Sequence, residues 1–306
     1  TSGLILGHRA LKLEGEIIFP SFTFLASALG CAWTGATAVF VDANPDDWTV
    51  SPAAVEAAIT SRTSAIVATH VFGNPCQIEQ LQAIAEKYKL ALIYDAAHGF
   101  GSLYQGKPLG GHGSFEVFSC SPTKLLQCGE GGVITTNDAA LADHLSSLRE
   151  YGNRGNYNLA ETGLNARMPE LNAIVGFHSL KKLDSIAAKR NILAQVLKAA
   201  LADIDGISWQ SVALNNLSSI KDLVLRIDDK KFGLSRDSLA IALAKENIET
   251  RNYYDPPCHL QDYWKQNAIV SGNLAITESL SEQCLTVPLS SKMTAETMER
   301  IAQAIR

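Results

Sequence analysis

Hydrophobic and polar positions follow two alternating rhythms through the first half of the chain. Short runs rich in β-branched residues are separated by segments in which apolar residues recur every three or four positions. This order is typical of strand and helix units that build a mainly parallel sheet, and it predicts an α/β fold. Strands are predicted at residues 16–19, 38–42, 65–70, 90–95, 115–119 and 132–136, and helices at residues 53–59 and 78–88.

The second half begins with an extended helical pattern. From residue 168 to residue 200, apolar residues recur mostly at steps of three and four, which predicts one long helix. Long helices often bridge domains, so we expect a boundary near Ala188, between a large domain of residues 1–188 and a small domain of residues 189–306. For the small domain the pattern predicts an α+β arrangement, with strands near 207–209, 223–227 and 286–289 and helices near 236–246 and 294–305.

Composition and charge narrow the class of protein. The chain has 306 residues, of which 46% are hydrophobic and 19% charged, and this is typical of a globular protein rather than a disordered one. The net charge is −5 and the basic residues are scattered, so there is no electrostatic footprint for a nucleic-acid partner. The apolar runs are far shorter than the roughly 20 residues that a membrane helix requires. We therefore expect neither nucleic acid nor a membrane as a partner.

The cysteines and the first residues bear on the cellular compartment. Cysteines stand at positions 31, 76, 120, 128, 258 and 284 without a CxxC pair, so they indicate neither a disulfide framework nor a zinc site. Reduced thiols in the cytoplasm are the expectation. The chain opens on Thr1, with no initiator Met and no signal-type apolar core, so we expect a trimmed start or a fragment.

Three residues of complementary chemistry follow predicted strands. Asp95 ends one apolar strand, Ser119 ends another, and Lys124 lies five residues later in a loop. Because ligands of open α/β sheets bind beyond the carboxyl ends of strands, the three side chains are expected to face one crevice. Pyridoxal 5'-phosphate (PLP) needs a lysine amine for its Schiff base, a carboxylate beside its pyridine nitrogen and donors for its phosphate. The three residues supply one of each, and Lys124 is also the natural proton carrier.

Each of these residues has a simpler explanation when it is taken alone. An aspartate at the end of a strand commonly caps a turn, and a lysine in a loop is commonly only solvated. The joint arrangement of carboxylate, hydroxyl and amine favours the PLP site over these alternatives.

Several stretches, in this order and spacing, resemble the DegT/StrS family of nucleotide-sugar aminotransferases over nearly the whole chain. The resemblance implies the PLP-dependent transferase fold of type I, the aspartate aminotransferase fold. This fold has a mainly parallel seven-stranded sheet flanked by helices and a smaller C-terminal α+β domain. The matching stretches are Pro20-Ser-Phe-Thr-Phe24, Val39-Phe-Val-Asp42, Asp95-Ala-Ala-His98, Phe118-Ser-Cys-Ser-Pro-Thr-Lys124, Gly129-Glu-Gly-Gly132, Leu148-Arg-Glu-Tyr-Gly152 and Gly163-Leu-Asn-Ala-Arg-Met168.

The resemblance also implies roles for residues around the cofactor ring. Lys124 corresponds to the lysine that bonds the cofactor, Asp95 to the partner of the pyridinium nitrogen and Ser119 to a phosphate ligand. His98 corresponds to a position near the ring hydroxyl, and Phe24 to an aromatic that stacks on the ring. A packed histidine and an ordinary core phenylalanine are the alternatives for these last two.

Thr1 and Ser2 correspond to a helix N-terminus that binds the cofactor phosphate, at the start of a helix expected over residues 3–13. Asn165 and Arg167 correspond to a loop that reaches the partner subunit's active site, where the asparagine binds the phosphate. The resemblance therefore implies a homodimer with shared sites. A surface or interface salt bridge is the alternative for Arg167.

Tyr151 and His259 lie in two loops that resemble those lining the sugar-nucleotide cleft of the family. Aromatic and basic side chains in such loops can stack on a base or pair with a diphosphate. Both stretches are rich in turn-forming residues, so an ordinary surface loop remains the alternative for each.

The predicted activity is PLP-dependent transfer of an amino group, from glutamate, to a keto group of a nucleotide-linked deoxysugar. Lys124 argues against the sugar dehydratases of the family, which have histidine in its place. The family usually has about 50 more residues before the position of Thr1. This difference leaves open a non-catalytic regulatory or structural homologue that retains the PLP site.

Two other enzyme classes have little support in the sequence. The histidines never form an HxxxH or HxH pair, which argues against a metal hydrolase. No GxGxxG turn follows an early strand, which argues against an NAD-dependent dehydrogenase.

Overall fold

A seven-stranded sheet forms the centre of the computed structural model, which describes residues 1–306. The strands are, in chain order, β1 Glu16–Pro20, β2 Thr37–Val41, β3 Thr63–Thr69, β4 Ala91–Asp95, β5 Leu103–Tyr104, β6 Lys107–Pro108, β7 Phe115–Ser119, β8 Gly132–Thr135, β9 Ile207–Trp209, β10 Leu223–Ile227, β11 Ala268–Val270 and β12 Cys284–Val287. The helices are α1 Ser2–Ala10, α2 Ala26–Thr34, α3 Pro52–Ala57, α4 Ile78–Tyr88, α5 Ala139–Arg149, α6 Glu170–Leu180, α7 Leu183–Ala200, α8 Asp229–Phe232, α9 Arg236–Lys245, α10 Asp262–Asn267, α11 Ala275–Gln283 and α12 Ala295–Ile305.

The large sheet has the strand order β11-β2-β1-β3-β4-β7-β8. All neighbouring strands are parallel except β8, which runs antiparallel to β7 at one edge. The predicted α/β fold with a mainly parallel seven-stranded sheet is confirmed. None of the helices is both long and apolar enough to cross a membrane.

The central strands are buried on both faces, which explains their continuous apolar runs. In β1, Ile17 and Phe19 face a core formed with α1, α2 and α5, whereas Ile18 faces a core formed with α3 and α4. Helices therefore cover both faces of the sheet, and the carboxyl ends of the parallel strands meet at one edge.

A second, three-stranded antiparallel sheet has the order β12-β10-β9. It packs with α9, α12 and the second half of α7, where Leu193 and Leu197 are buried. The first half of α7 packs elsewhere, because Leu183 and Ala187 contact the loop that follows Lys124. The domain boundary near Ala188 stays a prediction, and strand β11 lies in the large sheet although it follows that position in the chain.

The expectation of one long helix over residues 168–200 is wrong. The chain forms two helices, α6 and α7, separated at Lys181 and Lys182. The amide of Lys182 bonds to the carbonyl of Ser179, three residues back, and its φ of −107° departs from helical geometry. The apolar spacing continues across this turn because both helices have an apolar face, so the spacing gave no signal of the break.

The helix expected over residues 3–13 is present as α1 but ends at Ala10. Lys12 adopts a left-handed conformation with φ of 51°, which cannot continue a right-handed helix.

Candidate active site

Asp95 and Ser119 end two neighbouring strands of the large sheet. Asp95 pairs in register with Val117 in the parallel strand β7, so Ser119 lies slightly further along at the same edge. Lys124 follows in the loop after β7, where its amide bonds to the carbonyl of Ser121. The sheet thus brings the carboxylate and the hydroxyl to one edge, with the amine in the loop beyond it.

Asp95 is a buried carboxylate that no cation neutralises. Its side chain is 5% exposed, and no lysine, arginine or histidine forms an ion pair with it. The hydroxyl of Ser27 donates to Oδ2 at 2.7 Å, and the amide of Ala97 donates to Oδ1 at 3.0 Å. Burying an unpaired charge is costly, so this carboxylate is suited to a cationic group that arrives with a ligand.

Lys124 is a weaker base than an ordinary lysine. Burial and, to a smaller extent, the nearby ammonium of Lys221 lower the pKa of its ammonium to about 8, while the carboxylate of Asp95 acts in the opposite direction. A substantial fraction of the amine is therefore neutral and nucleophilic slightly above neutral pH.

His98 follows β4, and its carbonyl accepts a hydrogen bond from the hydroxyl of Ser219, in the segment before β10. The amide of Phe72 donates to Nδ1 of His98 at 3.1 Å, and the two rings stack with centroids 6.4 Å apart. Burial lowers the pKa of His98 well below its usual value, with Lys124 and Lys221 contributing in the same direction. The ring is neutral, and since Nδ1 accepts a hydrogen bond, its proton is assigned to Nε2.

Helix α1 directs its N-terminus to the same edge. Gly7 packs on the ring of Phe115 at the start of β7, and Gly3 packs on Val117 further along. The helix therefore runs antiparallel to β7, and its first residues lie towards Ser119. A Cβ atom at Gly7 would lie 2.0 Å from Cζ of Phe115, so only glycine allows this close approach. The N–H groups of the first turn have no partners within the helix, which makes this end suitable for an anion.

Phe24 is 52% exposed, so it is not the core residue that the alternative interpretation required. Its carbonyl accepts from the amide of Ser27 at 3.0 Å, and Ser27 in turn binds Asp95. The exposed ring thus belongs to the same local structure as the buried carboxylate.

Asn165, Arg167 and Tyr151 form a separate exposed cluster. The guanidinium of Arg167 bonds to Glu150 at 2.8 Å, reaches Oδ1 of Asn165 at 3.4 Å and lies 5.5 Å from the ring centre of Tyr151. Arg167 thus forms an exposed salt bridge with Glu150, as the alternative interpretation of this residue predicted. These three side chains form no hydrogen bond with Asp95 or Lys124 of their own chain.

His259 is buried rather than displayed on a surface loop. Its Nδ1 lies 2.6 Å from the hydroxyl of Ser21, and its Nε2 lies 3.2 Å from a carboxylate oxygen of Glu278. Its amide also donates to the hydroxyl of Ser21 at 3.0 Å. In this geometry the side chain joins the end of β1 to helix α11.

Comparison with known proteins decides the family of the chain. The model of the DegT/DnrJ/EryC1/StrS aminotransferase family matches residues 1–306. The chain belongs to this family. It is therefore a transaminase, and the resemblance noted from the sequence motifs is confirmed.

Individual relatives of the DegT family agree with this assignment. The chain is 34% identical over 292 residues to dTDP-3-amino-3,4,6-trideoxy-alpha-D-glucose transaminase of Streptomyces venezuelae, covering 95% of this chain and 76% of the relative. It is 31% identical over 307 residues to dTDP-4-amino-4,6-dideoxy-D-glucose transaminase of Escherichia coli, covering 100% of this chain and 82% of the relative. The crystal structure of S. venezuelae DesV in complex with a ketimine intermediate superimposes with a TM-score of 0.93 and 34% identity, over 99% of this chain and 81% of DesV.

Members of the DegT family are PLP-dependent aminotransferases, and the residues at this edge of the sheet suit that cofactor. The fit rests on the uncompensated carboxylate of Asp95, which matches a protonated pyridine nitrogen. It also rests on the depressed pKa of Lys124, which matches an amine that bonds an aldehyde.

Sequence reasoning missed two charged residues of this DegT-family site. Lys221 and Asp222 precede strand β10, and their side chains form an ion pair of 2.7 Å. The charge of Lys221 lowers the pKa of both Lys124 and His98. An adjacent lysine and aspartate before an apolar strand is a common sequence pattern, so nothing in it pointed to the crevice.

Proposed function

We propose that this chain transfers an amino group to the keto group of a dTDP-linked deoxysugar, with PLP bound between Asp95 and Lys124. The observation that carries the proposal is the buried, unpaired carboxylate of Asp95 close to an amine of lowered pKa. The acceptor class is supported by two relatives, at 34% and 31% identity, that are named as transaminases of dTDP-linked amino sugars. Glutamate as the amino donor stays a prediction from the family resemblance.

The proposed cofactor contacts use residues of four separate elements. Asp95 would hold the pyridine nitrogen, Lys124 would supply the amine that bonds the aldehyde, and the Nε2–H of His98 would donate a hydrogen bond to the ring hydroxyl oxygen. Phe24 covers one face of the ring, which its exposure permits. When bound, PLP supplies an electron-withdrawing ring that stabilises negative charge on the substrate carbon.

The cofactor phosphate is proposed to bind at the N-terminus of α1. Backbone N–H groups of the first turn and the side chains of Thr1 and Ser2 would hold the anion, and the hydroxyl of Ser119 would add a further donor. Neither Thr1 nor any other side chain caps this helix end within the chain, so its donors are free for a ligand.

Lys124 is proposed to move the proton of the reaction. Its neutral amine takes the proton from Cα of the amino donor at Nζ and later returns a proton to the sugar carbon. A pKa of about 8 suits both the uptake and the release of a proton at Nζ, because both the neutral and the charged amine are accessible at physiological pH.

We propose that the active unit is a homodimer. Helix α6 has no buried residue, and its large apolar side chains are between 51% and 77% exposed, namely Leu171, Ile174, Val175, Phe177 and Leu180. Such a contiguous apolar face is typical of a protein interface. In the dimer, Asn165 contacts the partner's phosphate site, and Arg167 and Tyr151 border the partner's sugar cleft.

A direct contact between His259 and the substrate stays a prediction. Both ring nitrogens of His259 already have partners within the chain, Ser21 and Glu278.

A donor and acceptor screen tests the proposed function. PLP-loaded protein is incubated with L-glutamate and a panel of dTDP-linked 3-keto and 4-keto deoxysugars, and 2-oxoglutarate and amino sugar are measured by mass spectrometry. We expect both products to form together. Asp95→Asn should lower turnover on the order of 100-fold or more, since removing one partner of a buried charge pair costs about 3 kcal/mol or more.

Asp143→Asn is the matched control, because Asp143 is an exposed aspartate on α5. It should leave turnover unchanged. Binding of PLP without any product, with every acceptor of the panel, would instead support the non-catalytic regulator.

A further inference from the structure

Lys221 and Asp222 form a largely buried ion pair immediately before β10. Nζ of Lys221 lies 2.7 Å from Oδ1 of Asp222, and the two side chains are 9% and 10% exposed. The second carboxylate oxygen, Oδ2 of Asp222, is buried and has no hydrogen-bond partner.

The segment that carries this pair is held rigidly. The guanidinium of Arg190 donates to the carbonyls of Ile220 and Lys221, at 2.9 and 2.6 Å, and also to that of Leu289. The amide of Lys221 donates to the carbonyl of Phe72 at 2.9 Å. The backbone of Lys221 is thus fixed against the loop that follows β3, although Lys221 directly precedes a strand of the small sheet.

The same segment also contacts the candidate cofactor site. The hydroxyl of Ser219 donates to the carbonyl of His98 at 2.9 Å, and the amide of Phe72 donates to the ring of His98. The ammonium of Lys221 is close enough to lower the pKa of both Lys124 and His98. The hydrogen bonds of Ser219 and Phe72 thus place the segment of Lys221 beside His98, and the ammonium lies near the amine of Lys124.

Two arginines, Arg190 and Arg236, already have hydrogen-bond or ion-pair partners within the chain. Arg190 donates only to backbone carbonyls, and Arg236 pairs with Asp237 and Asp255. Lys221 differs from them, because Asp222 occupies one of the three N–H bonds of its ammonium and leaves two for a ligand.

A transaminase that uses an amino acid must bind a carboxylate beside its reactive lysine, since the α-carboxylate is attached to the carbon that carries the amino group. We propose that Lys221 binds the α-carboxylate of the amino donor, and that Asp222 is its counter-ion when no donor is bound. This inference rests on the proposed function and adds to it the residue that selects an α-amino acid over a simple amine.

Calorimetric titration of PLP-loaded protein with 2-methyl-L-glutamate tests the inference. This probe has an α-carboxylate but no Cα proton, so binding is measured without turnover. Lys221→Met should raise the Kd of the probe about 10- to 100-fold, as expected for the loss of a charged hydrogen-bonded pair. The Kd of dTDP should change by less than about 3-fold, and Lys221→Arg should retain most of the affinity for the probe.

Two further variants separate a binding role from a structural one. Lys231→Met removes a lysine from an exposed ion pair with Asp228, shortly after β10 in the chain. This variant should leave the Kd of the probe unchanged. The double variant Lys221→Met, Asp222→Asn leaves no buried charge unpaired, and it should show the same loss of probe binding as Lys221→Met.

Equal probe affinity in wild type and Lys221→Met would overturn the inference, and so would equal losses for the probe and for dTDP. If wild-type protein binds PLP but neither the probe nor L-glutamate, the prediction of glutamate as amino donor fails, and this inference fails with it. A wild type that binds the probe and aminates a sugar, together with an unaffected Lys221→Met, refutes the assignment of Lys221 alone.

Discussion

At the scale of single residues, the reactivity of Lys124 is set by its surroundings. Burial and the ammonium of Lys221 lower its pKa from 10.5 to about 8, while the carboxylates of Asp95 and Asp222 act in the opposite direction. The pKa of Lys124 thus depends on Asp95, at the end of β4, and on Lys221 and Asp222, before β10. Removing any one of these charges should shift this pKa in a known direction.

We expect the cofactor-free protein to show this balance in the pH dependence of labelling at Lys124. Modification by an amine-specific reagent, followed by peptide mass spectrometry, should rise with pH to a midpoint near 8. Lys221→Met should move the midpoint upwards, because a repelling cation is lost, and Asp222→Asn should move it downwards. A wild-type midpoint near 10.5, unaffected by either change, would contradict this account.

Residue positions differ in how far the sequence reveals them. Asp95 and Lys124 were predictable because a carboxylate at the end of an apolar strand and a lysine in the following loop are local features. Lys221 was not predictable, because its approach to Lys124 depends on how the turn before β10 packs on Phe72. The same applies to Ser27, whose bond to Asp95 depends on the position of α2.

At the scale of elements, the contact between α1 and β7 positions the proposed phosphate site. Gly3 and Gly7 let the helix lie directly on the strand, so that its free N–H groups reach the sheet edge. A side chain at either position would push the helix away from β7.

Gly7→Ala should therefore affect both stability and cofactor binding. The added Cβ meets the ring of Phe115, which is fully buried and cannot move freely, so we expect a loss of about 1–3 kcal/mol in the free energy of unfolding. PLP affinity should fall about 10-fold, because the displaced helix end weakens hydrogen bonds to a charged group. Thermal unfolding and PLP titration measure the two effects.

Gly111→Ala provides the control for this change, since the nearest atom to its added Cβ is 4.0 Å away. It should unfold like wild type. If Gly7→Ala also unfolds like wild type, the close packing of α1 on β7 is not what positions the helix.

Elements were predicted well where apolar spacing reflects burial in the same chain, as in β1, β3, β4 and β7. The break between α6 and α7 was missed because the exposed apolar face of α6 keeps the helical period without being buried. The short strand β11 was missed because it has few residues and joins the sheet only through pairing with β2.

At the scale of the whole molecule, the exposed apolar face of α6 points to a second copy of the chain. The proposed dimer would bury this face and bring Asn165 of one protomer to the phosphate site of the other. The sequence alone indicated the dimer only through family resemblance, since the exposure of a helix face is a property of the packed chain.

Ile174→Asp tests the dimer directly. Light scattering should show a dimer for wild type and a monomer for the variant, because a charge buried in an apolar interface costs several kcal/mol. Ile241→Asp is the matched control, since Ile241 is similarly exposed but lies on α9. A monomeric wild type, or a variant as dimeric as the control, would refute the role of α6.

The central claim is that Lys124 is the residue that bonds the cofactor, and one measurement tests it most directly. PLP-loaded protein is reduced with borohydride, digested and mapped by mass spectrometry. We predict that the mass of the reduced cofactor is found on the peptide that contains Lys124 and is absent from Lys124→Ala. Attachment at Lys221, or an equal yield from Lys124→Ala, would contradict the account.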